Sequence, residues 1–201
     1  MLPGFETVTE INDEMNYSTL LVEQRDSGLL IVTLNRPDEG NAVNTQMGIE
    51  LLDFWTGLVR DRDGSTTRSV VLTGAGEAAF CAGGDMKERD GMSAEVWRHQ
   101  HEIFEQALWM MMECPVPVIA AVNGKAFGAT EALEWGIFSR VCSTADLMPV
   151  VIATAESIVG NAPLAVRQAK KAIHQGLQMD VRSALRFEVE AYNRLTDTED
   201  R

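Results

Sequence analysis

The stretch Phe80-Cys81-Ala82-Gly83-Gly84-Asp85 decides how the rest of the chain is interpreted. It follows an apolar, β-branched run at 68–74, which predicts a buried strand that ends in glycine. Two adjacent glycines after a strand leave backbone N–H groups free to face a ligand. Because glycine is also a common turn residue, the pair by itself indicates either a turn or a binding site.

The residues before this stretch predict a β-hairpin followed by a helix. Two β-rich runs at 18–24 and 29–34 are separated by Arg25-Asp26-Ser27-Gly28, a polar connection with a glycine that suits a hairpin. After a loop, residues 44–61 carry apolar side chains at helical spacing. We therefore expect a core-facing helix between the hairpin and the strand at 68–74.

The residues after this stretch predict a second crossover helix over 93–113, with Ser93 as its N-cap. Its apolar stripe is expected to face the core, as such stripes usually do. The stripe consists of Val96, Trp97, Phe104, Ala107, Leu108, Met111 and Met112. Prolines then end the helix, and residues 116–122 predict a fully buried strand.

The remaining chain is expected to be mainly helical. A helix at 130–135 and a short strand at 137–142 are predicted to precede three helices, at 145–160, 163–175 and 181–195. Hairpin, helix, strand, helix and strand in this order predict an α/β fold with crossover helices and a helical C-terminal region. We divide the chain into an N-terminal arm at 1–16, an α/β core at 17–144 and a helical region at 145–201.

Composition limits the classes of function. The 201 residues are 45% hydrophobic, which suffices for one domain with a substantial core. The net charge of -13, from 30 acidic and 17 basic residues, argues against sequence-independent binding of nucleic acid and of anionic membranes. The start of the chain has no apolar signal region, so we expect neither secretion nor membrane insertion. Three widely spaced cysteines predict neither disulfides nor a zinc cluster and favour the cytoplasm.

Three motifs, taken together and in order, resemble the crotonase superfamily of enoyl-CoA hydratases and isomerases. The resemblance covers approximately residues 17–201. The motifs are Leu34-Asn35-Arg36-Pro37 with Asn41-Ala42, then Phe80-Cys81-Ala82-Gly83-Gly84-Asp85-Met86-Lys87, then Pro117-Val118-Ile119-Ala120-Ala121-Val122-Asn123-Gly124.

The resemblance implies a fold, a substrate and site residues. The fold would be a crotonase-like spiral of ββα units with a helical C-terminal region, assembled as a homotrimer or homohexamer. The substrate would be an acyl-CoA thioester of fatty acid metabolism, with no separate cofactor and no metal. Two backbone amides would hold the thioester oxygen, and Gly84 would supply the first. The residues implied to border coenzyme A are Ala42, Ala82, Asp85, Met86 and Lys87.

The sequence departs from the family pattern after Gly128. Ala129-Thr130-Glu131-Ala132 resembles a motif that the family places several dozen residues later. The missing middle would hold the second oxyanion donor and two catalytic glutamates, and the chain stops short of the family's final helix. A stretch left out of the sequence, a deletion in an inactive or repurposed protein and a rebuilt site each account for this. We favour the first, because a deletion would expose apolar faces of neighbouring elements.

The expected activity is that of an enoyl-CoA hydratase, a lyase that adds water to a 2-enoyl thioester. The alternatives are a catalytically inactive acyl-CoA-binding or assembly subunit and another crotonase activity, such as isomerase or hydrolase. Glu131 and Glu134 lie near the departure, but their spacing favours an exposed helix surface. His99 and His101 point to different helix faces and predict no metal site. Cys81 is expected to be a small buried hydrophobic residue rather than a nucleophile, because the sequence shows no base near it.

Overall fold

The computed structural model describes residues 17–61, 66–124 and 129–200. The predicted N-terminal arm at 1–16 lies outside the described residues. The strands are β1 (Leu20–Gln24), β2 (Leu29–Leu34), β3 (Ser69–Gly74) and β4 (Val118–Ala121). The helices are α1 (Thr45–Arg60), α2 (Met86–Arg89), α3 (Ala94–Glu113), α4 (Ala129–Glu134), α5 (Thr144–Val159), α6 (Pro163–Gly176) and α7 (Val181–Asn193).

The four strands form one sheet in the order β1-β2-β3-β4. β1 and β2 pair antiparallel, which confirms the predicted hairpin. β2, β3 and β4 are parallel, with Leu34 opposite Gly74 and Thr73 opposite Ala121. Helical crossovers join these strands, as parallel pairing requires, so the α/β prediction is confirmed. The carboxyl ends of three strands consequently meet at one edge of the sheet.

Both faces of the sheet are covered by other elements. Alternate residues of β2 point to opposite sides of the sheet and contribute to both cores. On one side Leu30 and Val32 pack with Phe54 and Trp55 of α1. On the other side Leu29 and Ile31 pack with residues of β3, β4 and α5. Apolar residues at consecutive positions of β2 are therefore explained by burial on both faces.

Glu50 is a buried carboxylate that ties α1 to β1. Its Oε1 accepts hydrogen bonds from Ser18 N at 2.9 Å and Oγ at 2.8 Å, and from Gln46 Nε2 at 2.8 Å. Its Oε2 accepts from Thr19 N at 2.8 Å and Oγ1 at 2.6 Å. Burial alone would raise the pKa of Glu50, but these hydrogen bonds outweigh it and lower the pKa to about 2.

Glu50 is expected to make the fold sensitive to acid. A carboxylate with a lowered pKa stabilises the native state above its unfolded pKa of 4.5, and this contribution is lost as the pH falls from there towards 2. The loss is on the order of 2–3 kcal/mol. Urea unfolding between pH 7 and pH 3 measures it. Glu50→Gln should have a shallower acid slope than wild type, while the exposed control Glu105→Gln keeps the wild-type slope. Equal slopes for wild type and Glu50→Gln would exclude this role.

Helix α3 confirms the predicted helix and its N-cap, since Ser93 Oγ accepts from Val96 N. The predicted buried stripe, however, is wrong in four positions: Val96, Trp97, Leu108 and Met112 are exposed. The buried positions are Gln100, Ile103 and Ala107, because this face packs against α1. A polar glutamine therefore occupies a core position that hydropathy assigned to the surface.

Two strand predictions are also corrected. β4 is an edge strand of the described sheet, like β1, and is only partly buried, with Ala120 exposed, so it is not the fully buried strand expected at 116–122. Residues 137–142 form no strand; the amide of Ile137 instead donates to Ala132 O at the end of α4. This segment pairs with none of the described strands and does not extend the sheet.

Helices α5, α6 and α7 confirm the predicted helical C-terminal region. Lys170 attaches α6 to the sheet: its Nζ donates to Cys114 O at 2.7 Å and to Val116 O at 2.6 Å. Burial lowers the pKa of Lys170. Among the described residues no single helix is long and apolar enough to cross a bilayer, and only α5 with α6, bent by 105°, meet the length and composition criteria together.

Candidate active site

Loops that follow β2, β3 and β4 meet at the carboxyl edge of the sheet, where open α/β sheets bind ligands. Asn41 joins the first two loops. It is fully buried and has a left-handed backbone with φ 56°. Its Nδ2 donates to Ala75 O at 2.9 Å and Ala79 O at 2.8 Å, and its Oδ1 accepts from Arg36 N at 3.0 Å. One side chain thus fixes the spacing of both loops.

Asn123, after β4, holds the β3 loop from the other side. Its Oδ1 accepts from Gly74 N at 3.1 Å, and its Nδ2 donates to Gly74 O at 2.9 Å and Gly76 O at 2.8 Å. A Cβ at Gly74 would collide with the carbonyl oxygen of Phe80. The loop after β3 is therefore packed too closely for any residue but glycine at its start.

The predicted glycine stretch lies against the β2 loop in a short parallel ladder. Val43 N donates to Gly83 O at 2.7 Å, and Asp85 N donates to Val43 O at 3.0 Å. Gly84 is the bridge partner of Val43, so in this ladder its neighbours supply the hydrogen-bonding groups. Within residues 17–61, 66–124 and 129–200 the Gly84 N–H has no hydrogen-bond acceptor. It is available to a ligand oxygen.

An ion pair between Asp85 and Arg36 stabilises the contact between the glycine stretch and the β2 loop. Asp85 Oδ2 lies 2.8 Å from Arg36 Nη2, and Arg36 Nη1 donates to Ala42 O at 2.6 Å. Asp85 Oδ1 accepts from the amides of Lys87 and Glu88 and so caps α2. The Glu88 amide, followed by the Arg36 guanidinium, holds the pKa of this carboxyl below its usual range. The buried Asp85 side chain is thus occupied by structural contacts.

The structure brings the predicted coenzyme residues to one loop pair. Ala82 N donates to Gly40 O at 3.0 Å, which places Ala82 beside the loop that carries Ala42. Ala42 is buried, whereas Ala82, Met86 and Lys87 are exposed along the same border. These positions therefore lie on the two adjacent loops that meet at Gly84, and their contact with coenzyme A stays a prediction.

Among the described residues, the groups expected from the missing middle are not found at Gly84. Residues 125–128, where the chain departs from the family pattern, lie outside the described residues. Glu131 and Glu134 on α4 are exposed. An open cleft of about 690 Å³ runs along β4, bordered by the segment 137–144 and by α5. Ile137 lines this cleft and is exposed, and so is Trp135 two positions earlier, as expected if neighbouring elements had lost a packing partner.

Sequence reasoning missed four residues of this site: Arg36, Asn41, Arg89 and Asn123. Asn123 directly follows a predicted strand, a position at which polar side chains often organise loops, and Asn41 lies in the loop after another; both, however, entered the sequence analysis only as parts of motifs. Arg36 was quoted only as part of a motif. Arg89 had no distinguishing signal in the sequence, because its neighbours Gly84 and Gln100 meet it only in the folded chain.

Comparison with known proteins gives consistent matches. The enoyl-CoA hydratase/isomerase family model matches residues 24–130 and 126–201. The short-chain-enoyl-CoA hydratase of Clostridium acetobutylicum is 28% identical over 239 residues, which cover 90% of this chain and 90% of that protein. The crotonyl-CoA hydratase of Syntrophomonas wolfei is 24% identical over 245 residues, covering 92% and 93% respectively.

A solved structure gives the same result for the fold. The enoyl-CoA hydratase from Bacillus anthracis superimposes with a TM-score of 0.85 at 29% identity, and the match covers 91% of this chain and 93% of that one. The sequence alignments above are longer than the 201-residue chain itself. A stretch of each relative therefore has no counterpart here, in agreement with two family-model matches that adjoin at 126–130.

Proposed function

Because this chain belongs to the enoyl-CoA hydratase/isomerase family, we propose that it is an enoyl-CoA hydratase-type lyase that adds water to a 2-enoyl-CoA thioester. The observation that carries the proposal is the Gly84 N–H, which faces no acceptor in the described part of the chain. Relatives named as hydratases support the reaction type.

The proposed role of Gly84 follows from the charge that the reaction creates. Addition of water to the β-carbon of an enoyl thioester moves negative charge onto the thioester oxygen. A fixed amide donor stabilises that charge without having to reorganise. Gly84 is fixed by the ladder to Val43, while Asn41 and Asn123 hold the adjoining loop.

Coenzyme A is proposed to lie along the border formed by Ala42, Ala82, Asp85, Met86 and Lys87. Because the Asp85 side chain is already bonded to Arg36, a contact from Asp85 would come from its backbone. The exposed Lys87 is suited to a phosphate group. The coenzyme is part of the substrate, so no separate cofactor is proposed.

We also propose cytoplasmic localisation and assembly into a homotrimer or homohexamer. The cysteine pattern favours the first. Exposed apolar side chains on α7, a face suited to a subunit contact, favour the second. They are Val181, Leu185, Val189 and Tyr192.

The direct experiment supplies crotonyl-CoA to the purified protein and follows the loss of the enoyl absorbance. Mass spectrometry identifies the product. Formation of 3-hydroxybutyryl-CoA is the expected result. Interconversion of 2-enoyl and 3-enoyl thioesters without hydration would assign an isomerase instead. Absence of turnover across a series of enoyl-CoA chain lengths would refute the enzyme proposal.

A second function, acyl-CoA binding without turnover, is favoured by one observation. The two family-model matches adjoin at 126–130, so the stretch that would carry the acid and base groups has no counterpart. Calorimetry separates the two functions. Binding of butyryl-CoA together with no turnover of crotonyl-CoA would establish the second function.

A further inference from the structure

Arg89, at the end of α2, is held in place by a buried neighbour. Its Nε donates to Gln100 Oε1 at 2.9 Å, and Gln100 is only 1% exposed. Gln100 is fixed in turn, since its Nε2 donates to Thr45 Oγ1 and to Glu88 Oε2, both at 2.8 Å. The guanidinium also lies 5.8 Å from the centroid of the Phe104 ring. Its position is therefore determined by packing and hydrogen bonds.

The guanidinium lies directly against the proposed oxyanion donor. A Cβ built on Gly84 would be 2.7 Å from Arg89 Cζ and 2.8 Å from each of Nη1 and Nη2. Nearly equal distances to these three atoms place the Cβ position over the face of the guanidinium. The N–H bonds of the Arg89 guanidinium lie in the guanidinium plane. They are therefore directed into the space beside the Gly84 backbone and not at the backbone itself.

The terminal nitrogens of Arg89 have no protein acceptor among the described residues, and no described carboxylate forms an ion pair with them within 4.0 Å. The nearby Glu88 carboxylate is already bonded to Thr45 N and Gln100. Arg89 is partly buried, and a partly buried cation whose two terminal nitrogens have no acceptor is suited to an anionic ligand.

We propose that Arg89 determines specificity by binding a carboxylate carried on the acyl group of the thioester. This inference rests on the proposed function, because it takes Gly84 as the point where the thioester oxygen binds. Two parallel N–H groups of a guanidinium match the two oxygens of a carboxylate. The thioester offers a single carbonyl oxygen, which is bound by donors from different directions rather than by a parallel pair. The substrate class is then a dicarboxylic enoyl-CoA.

Binding of unreactive ligands tests this independently of turnover. Glutaryl-CoA and pentanoyl-CoA share the coenzyme and a five-carbon acyl chain and differ in the terminal carboxylate. Calorimetry should show that wild type binds glutaryl-CoA about 10 to 100-fold more tightly. Arg89→Met should abolish the preference, and Arg89→Lys should retain part of it, because lysine keeps the charge without the fork. Arg98→Met, on the exposed face of α3, is the matched control and should keep the wild-type preference.

The outcomes separate this inference from the proposed function. Equal affinity of wild type for the two ligands, or an unchanged preference in Arg89→Met, would overturn the role of Arg89 even if crotonyl-CoA is hydrated. A preference for glutaryl-CoA that depends on Arg89 would sustain it even if nothing is turned over. With turnover, Arg89→Met should lower the ratio of kcat/KM for glutaconyl-CoA over 2-pentenoyl-CoA by about the same factor.

Discussion

Replacing Gly84 with proline is expected to lower kcat for crotonyl-CoA hydration by about 10²–10³-fold, the cost of removing one oxyanion donor. Proline removes the backbone N–H that faces the proposed thioester oxygen. It leaves the ladder with Val43 intact, because Val43 N bonds to Gly83 O and Val43 O to the Asp85 amide. Initial rates at saturating substrate, with thermal unfolding to verify the fold, measure the effect.

Gly84→Ala is the matched comparison for this experiment. It adds a Cβ in the same place, and its backbone can accept a side chain because Gly84 is not among the residues with positive φ. The added Cβ displaces the guanidinium of Arg89 in both variants, but only alanine retains the amide hydrogen. The ratio of the two rates therefore compares a residue that keeps the amide hydrogen with one whose ring carbon takes its place. A proline variant within threefold of the alanine variant would eliminate Gly84 as the donor.

Asn41→Ala is expected to lower the free energy of unfolding by about 3–5 kcal/mol. It removes three hydrogen bonds from a fully buried residue, leaving the carbonyls of Ala75 and Ala79 without their side-chain donor. Alanine also pays about 1–2 kcal/mol for the left-handed backbone at φ 56°. Urea unfolding measures the loss.

Asn41→Gly separates the two contributions, since glycine adopts the left-handed backbone without penalty but makes no side-chain hydrogen bond. It should be more stable than Asn41→Ala by about 1 kcal/mol and less stable than wild type. Asn193→Ala, at the exposed end of α7, controls for loss of an asparagine and should be near wild type. A cost below 1 kcal/mol for Asn41→Ala would contradict the role of Asn41 as a link between the two loops.

The sequence predicted most elements because local signals were strong. The hairpin and the two helices α1 and α3 follow clear sequence patterns; Ser93 caps α3 as expected, and Asn44, the first residue of the predicted helix 44–61, caps α1. The errors arose where burial depends on distant partners. Trp97 and Leu108 have the hydropathy of core residues, but α1 packs on the neighbouring face of α3. β4 has the sequence of a central strand and yet lies at the edge of the sheet.

The site was predictable to the level of its loops. Gly84 and Ala42 were assigned to one site by resemblance, and the structure brings their loops together through Val43. The contacts that hold the loops were not predictable, because Asn41 and Asn123 act on residues more than 30 positions away in the sequence. Arg89 depends on a contact with Gly84 that exists only once α2 is folded.

The ladder between Val43 and Gly84 has a consequence for how the sequence of such a chain can vary in evolution. The described contacts that hold the Gly84 loop come from Arg36, Asn41, Val43 and Asn123, all of which precede the junction at 126–130. The hydrogen bonds of this frame can therefore be kept while segments after the junction vary, provided that α5 still covers the sheet face formed by Leu29 and Ile31. The groups that position the Gly84 amide and the segments that follow the junction are thus encoded in different parts of the sequence.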